Sequence, residues 1–203
     1  MYLAKRFSLE RTSHGLRVGS ALLAAVVLGL GGSWALAQDA GVQATWQQHR
    51  TTFDYLGISP TYSCEGLRDS LTYLLDESGA QLNRPITPYP CSGGGVPTKL
   101  LSARLDFSTL TPAEAGGQTA SGSVDGGWRH VEFSMNRSSP QLHGSDCELV
   151  QEFRDKVLPM FTTRNVSSNL HCIPHQTIGN QFNLSFDVLT TPNAGRHHGG
   201  GAG

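Results

Sequence analysis

His171 and His175 bracket Cys172 in the run His-Cys-Ile-Pro-His, and imidazole and sulfur are the donor types of a zinc or copper centre. A metal held here needs a further ligand, for which His143 or the tail pair His197-His198 could serve. Pro174 prevents His171 and His175 from sharing a helix face in the manner of a zinc protease, and an oxidised Cys172 would not ligate. His143-Gly144-Ser145-Asp146 contains the residue types of a hydrolase triad, but a triad is recognised by geometry and is assembled from separate segments. Asp106 and Asp187 follow Cys91 and Cys172 at the same distance, each among polar positions of an alternating stretch. Two carboxylates related in this way could form an acid–base pair or a cation site, and more commonly they are solvated strand positions. Ser92-Gly93-Gly94-Gly95 lacks the Lys-Ser/Thr of a phosphate loop and reads as a loop joining two strands.

None of these groups names a reaction, so the four cysteines become the informative residues. Cys64, Cys91, Cys147 and Cys172 contain no Cys-x-x-Cys pair, and an even count in an exported chain is read first as disulfides. The chain surrounding them is patterned twice. Leu67, Leu74 and Leu75 follow Cys64 at the offsets at which Val150, Val157 and Leu158 follow Cys147, and this spacing places them on one helical stripe with Leu71 and Phe153 beside it. Leu101, Ala103, Leu105 and Phe107 follow Cys91 at the offsets at which Phe182, Leu184, Phe186 and Val188 follow Cys172. Their alternation with polar residues predicts strands buried on one face. Thr52–Leu56 and Arg129–Met135 read as a strand before each helix. Pro85, Pro88 and Pro90 confine the strand between the first helix and Cys91 to an irregular edge, where a partner strand could add.

The predicted fold is therefore α+β. Two tandem β-α-β-β units, products of an internal duplication, share a mostly antiparallel sheet with the helices packed on one face. One disulfide closes each unit, Cys64–Cys91 and Cys147–Cys172. A unit of about 60 residues is marginal alone, which favours one shared core over two separate modules. Ser145 and Glu148 around Cys147 fit a capping box, Pro159 closes the second helix near Leu158, and Ser63 and Ser78-Gly79 cap and stop the first.

The expected segments are a leader over 1–37, an arm over 38–50, and a first unit over 51–110. A Gly/Ser-rich linker or loop spans 111–127, the second unit 128–190, and a low-complexity tail 191–203. The leader combines Lys5, Arg6, Arg11 and Arg17 with the apolar run Ala21–Leu28, and Ala35-Leu36-Ala37 places a cut before Gln38. That apolar run is short for a stable bilayer span of about 20 residues, so no membrane insertion is expected after cleavage. The expected location is the bacterial periplasm or exterior. Removing the leader leaves 11 basic and 15 acidic side chains in about 166 residues, a mild negative balance that gives no reason to expect nucleic acid.

The leading functional expectation is an exported, disulfide-stapled, non-catalytic protein of the envelope, binding a partner protein or a small ligand without a cofactor. The alternatives are a periplasmic copper- or zinc-binding protein using His171, His175 and other surface histidines, and a small secreted hydrolase with unidentified carboxylates. Trp46 and Trp128 could anchor a partner or cap the core.

Overall fold

A computed structural model describes residues 41–56, 62–91, 100–113, 122–135, 142–173 and 179–192. The first strand, β1 (Val42–Leu56), is followed by helix α1 (Cys64–Glu77), the short strands β2 (Gln81–Leu82) and β3 (Thr87–Tyr89), and the long β4 (Leu100–Pro112). The order continues with β5 (Val124–Ser134), helix α2 (Cys147–Lys156), β6 (Thr163–His171) and β7 (Gln181–Thr190). All strand pairings are antiparallel. The sheet order is β2-β4-β1-β5-β7-β6, with β3 also on β4. Read from its two ends, the order is β2-β4-β1 and β6-β7-β5, and β1 lies beside β5 in the middle. Among the described residues the fold is thus a mostly antiparallel sheet with two α-helices and two disulfides.

The register repeats this arrangement. Arg50 pairs with Asp106 on one side, and His130 pairs with Asp187 on the other. Ala44 and Val124, equally far before Arg50 and His130, face each other where β1 meets β5.

The helices form where the apolar spacing requires them. Ser63 accepts a hydrogen bond from the Gly66 amide (3.1 Å), and Leu67, Leu71, Leu74 and Leu75 are buried along one stripe of α1. The helix stops in a Schellman arrangement, with the Gly79 amide on Asp76 O and the Ala80 amide on Leu75 O. Gly79 has φ of +80°, and a Cβ there would collide with Thr190 Oγ1, so both backbone and packing demand glycine. On α2, Leu149, Val150 and Phe153 are buried. The regular helix ends at Lys156 and a single 3₁₀ turn carries Leu158, Pro159 and Met160, because Pro159 has no amide with which to continue the ladder.

The start of α2 differs from expectation. Ser145 and Glu148 do not form the capping box. Asp146 performs that task, its carboxylate accepting the His143 amide while Ser145 Oγ lies 3.4 Å from it. Asp146 is also buried and accepts the Tyr62 hydroxyl, so one carboxylate joins the segment before α1 to the start of α2. Burial and the facing Asp146 charge push the Tyr62 hydroxyl pKa far above its ordinary value.

One continuous core lies between the sheet and both helices. Phe53, Tyr55, Leu101 and Phe107 of β1 and β4 belong to the same buried cluster as Phe133, Leu184 and Phe186 of β5 and β7. Phe133 stands edge-on to both Tyr73 of α1 and Phe153 of α2, and the Lys156 ammonium of α2 donates to Asp54 O on β1 (2.9 Å). The disulfides join Cys64 to Cys91 and Cys147 to Cys172, with Cα atoms 6.0 and 5.5 Å apart.

Strand structure reaches further than the alternation alone indicates. β1 begins at Val42 rather than Thr52, so most of the stretch read as an arm is sheet. β4 extends to Pro112 and β5 starts at Val124, taking both ends of the Gly-rich stretch into strands. Gly126 lies within β5 because a Cβ there would meet Leu189 Cδ1 at 3.1 Å and Val42 O at 3.2 Å. The strand before Cys91 is broken by Pro85 into β2 and β3, whereas its counterpart β6 is continuous with one irregularity between Arg164 and Ser167.

Candidate functional site

In β1, β4, β5 and β7 alternate side chains face the helices, which leaves the others on a second face of the sheet that carries no helix among the described residues. At its middle Ala44, Leu110 and Leu189 form a small buried cluster with half-buried Trp46 and Trp128 packed on it. The tryptophans cap this cluster, and the Arg164 guanidinium lies over the Trp128 ring at 4.3 Å.

Asp106 and Asp187 lie on this face, outward from that centre, each the hub of a network linking three strands. Asp106 on β4 accepts from Gln48 Nε2 (2.8 Å) and Arg50 Nε (3.1 Å) of β1, and from Asn83 Nδ2 (3.0 Å) just beyond β2. Arg84 Nε stands 3.7 Å from the same carboxylate. Asp187 on β7 accepts from His130 Nδ1 (3.0 Å) of β5, and from Asn165 Nδ2 (2.7 Å) and Arg164 Nε (3.4 Å) of β6. Donors favour the ionised form, so both pKa values fall below the ordinary carboxylate value. Gln48 and then Asn83 contribute most at Asp106, and His130 and then Asn165 at Asp187.

The two aspartates do not converge. β1 and β5 lie between their strands, and three inter-strand spacings amount to about 14 Å, beyond the roughly 9.5 Å over which paired carboxylates share glycosidase chemistry. Each is consumed by its own strand network. The His143-Gly-Ser-Asp146 run is not a triad either. Ser145 Oγ reaches Asp146 directly, and His143 contributes its backbone amide rather than its imidazole to that carboxylate.

His171 ends β6 in an exposed position, whereas His175, Ser92–Gly95 and the tail histidines lie outside the described residues. Among the described residues no group of three or more His, Cys, Asp or Glu side chains could hold a metal ion. No helix among the described residues is long and apolar enough to cross a membrane.

The more open chemistry lies beside Asp106. A groove of about 780 Å³ is bordered by Arg50 and Thr52 of β1, Arg84 and Thr87 on the Pro85 side, and Arg104 and Asp106 of β4. Its volume is that of an ordinary small-ligand site. Arg50 and Arg84 keep 68% and 74% of their side-chain surface exposed while leaning on Asp106. Arg104 lies over the Tyr89 ring at 5.2 Å. A second hollow of about 560 Å³ lies by Asn169, Gln181 and Asn183, where the buried Asn180 side chain is occupied by the Ile173 amide and Gly144 O.

The arginine groove was not singled out from the sequence, because its members come from three separated segments. One signal was present. Arg104 and Ser185 follow Cys91 and Cys172 at the same offset, so a cation stands where its counterpart carries a hydroxyl. Compared with known family models, curated proteins and solved structures, the chain matches none of the three.

Proposed function

We propose that this is an exported, non-catalytic binding protein of the bacterial envelope, built from a duplicated β-α-β-β unit with one disulfide in each copy, and that it seats a small ligand in the Arg50–Arg84–Arg104 groove. The observation carrying the binding reading is the groove itself, which places three arginines, three threonines and a hydrogen-bonded carboxylate around one open volume. The carboxylate is already satisfied by strand donors, so it serves to hold its neighbours rather than to exchange a proton with a substrate.

The duplication is supported by the matching registers Arg50↔Asp106 and His130↔Asp187 and by the facing of Ala44 and Val124. Two disulfides fit an oxidising compartment, and the Ala35-Leu36-Ala37 junction after a basic, then apolar, leader fits export with cleavage before Gln38.

The test starts from the full chain expressed with its leader, recovered from the periplasm and sequenced from its amino terminus. Thermal-shift titration against small sugars, amino acids, organic acids and phosphates follows, with amide NMR locating any ligand. The expected result is an amino terminus at Gln38 and a dose-dependent rise in Tm with shifts confined to β1, β4 and the segment from Arg84 to Tyr89. Turnover of a substrate that one point substitution abolishes, or no ligand in any class, would refute the binding reading.

A further inference from the structure

We propose that the groove is an oxyanion seat, taking the carboxylate or phosphate of a small ligand on Arg104 with Arg50 and Arg84 beside it; this rests on the binding reading above.

The two ends of the sheet act as an internal control. Asp106 and Asp187 occupy matching positions and both accept from a basic side chain of the neighbouring long strand and from an asparagine amide on the edge side, so these hubs explain strand assembly at both ends. What differs is the surrounding charge. Arg50, Thr52 and Arg104 stand where the other end has His130, Glu132 and Ser185, by the registers that place Arg50 and Thr52 opposite Asp106 and Arg104, and His130 and Glu132 opposite Asp187 and Ser185. With Arg84, three guanidinium groups surround one carboxylate at the first end. At the second, one guanidinium, Arg164, stands beside Asp187, and the register adds a further carboxylate, Glu132, opposite Ser185, so the excess of guanidinium over carboxylate belongs to the groove end of this pair. A scaffold need would have placed it at both ends.

Arg104 is the residue without a structural partner of opposite charge. Among the described residues it forms no ion pair, and its guanidinium carbon lies over the Tyr89 ring, 5.2 Å from the centroid. A cation–π contact is not made through conventional N–H hydrogen bonds, so it leaves guanidinium donors available to a carboxylate or phosphate, which they can hold in bidentate fashion. Arg50 and Arg84 are held from one side by Asp106 and remain largely exposed on the other. One carboxylate compensates one of three cations, and an oxyanion in the open volume would compensate one more as a carboxylate and both as a doubly charged phosphate.

The test is calorimetric and NMR titration of the full chain, recovered from the periplasm, with inorganic phosphate and separately with succinate at low ionic strength. Glucose serves as a neutral probe. We expect saturable one-to-one binding of at least one anion, displacement of the Arg104 and Arg84 Nε–Hε resonances, and weakening as salt is raised. Arg104→Ser, which installs the residue of the matching position at an exposed site, should lower that affinity about tenfold or more, as loss of a charge-assisted bidentate contact does. Arg164→Ser at the other end should leave it unchanged. Binding of only phosphate or only succinate identifies the source of the oxyanion. Absence of saturable binding for both anions, or equal affinity in the Arg104→Ser chain, overturns the proposal. Neutral ligands that bind the wild-type and Arg104→Ser chains alike would leave the binding reading standing while removing this one.

Discussion

Removing the two disulfides one at a time separates chain entropy from burial. The bonds span 27 and 25 residues, so loop closure in the unfolded chain predicts almost equal contributions, about 3.6 and 3.5 kcal/mol. The native surroundings are unequal. Cys147 is fully buried in the core, whereas Cys64 is half-buried and Cys91 exposed. A serine hydroxyl at position 147 without a partner adds about 1–3 kcal/mol of desolvation, and at 64 or 91 it meets water. The Cys64→Ser, Cys91→Ser chain should therefore lose about 3.6 kcal/mol, and the Cys147→Ser, Cys172→Ser chain about 4.5–6.5. Urea unfolding with a slope near 2 kcal/mol per M reads that difference as about 0.5–1.5 M between the midpoints. Alanine pairs provide the control, since without a hydroxyl the two losses should approach each other. Equal midpoints for the two serine pairs would refute the burial argument. Losses under about 1 kcal/mol for both would refute the view that the staples carry a large share of the stability.

Three further perturbations follow from the same reasoning. Tyr62→Phe keeps the edge-on ring contact with Tyr55 but takes a donor from buried Asp146, and should cost about 1.5–3 kcal/mol by denaturant unfolding; a change below 0.5 kcal/mol would show that the hydroxyl contributes nothing net. Gly79→Ala forces a side chain into positive φ and against Thr190, for about 2–4 kcal/mol or a fall in Tm of roughly 5–15 °C, and adding Thr190→Ala should restore only the contact part; full recovery would show that backbone strain is absent. Asp106 and Asp187 have folded pKa values below the unfolded one, so their stabilisation is complete above about pH 4 and is lost as pH falls through the folded values. Asp106→Asn and Asp187→Asn should each be less stable than wild type at pH 7 and converge with it in acid, and a deficit that persists undiminished at pH 2 would assign their effect to shape rather than charge.

Segments that bury one face at a constant period could be read from the sequence. Leu101–Phe107 and Phe182–Val188 bury every second residue, Leu67–Leu75 bury one helical stripe, and the matched spacings pointed to the disulfide partners that the structure joins. β1 shows why the remainder was not legible. Phe53 and Tyr55 are buried against the helices, but Ala44 and Trp46 pack on the opposite face with Leu110 and Leu189. The apolar parity switches inside one strand, and the exposed Gln47 and Gln48 between hide its continuity. Asp146 escaped for a different reason. Its local sequence suggests a solvated helix start, and only the approach of Tyr62 from a distant segment makes it a buried hub. The groove likewise depends on Pro85 interrupting the edge strand, which brings Arg84 to the side of Asp106.

The edges of the sheet bear on where a ligand is received. Strand addition needs a run of free amides and carbonyls in regular extension. On the β3 side, Pro88 sits within the edge strand without an amide, and Pro85 and Pro90 flank it. On the β6 side, the register shifts between Arg164 and Ser167, and Asn165 adopts φ of +54°, which turns the backbone out of extension and leaves a short regular run from Ser167 to His171. Both ends thus carry features by which sheets discourage edge pairing. On the second face of the sheet, by contrast, the Pro85 interruption that disables one edge also opens the space between Arg84 and Arg104. A single local break therefore disfavours recognition through the backbone and favours recognition through side chains, which is why the face groove rather than either edge is the better seat for a ligand.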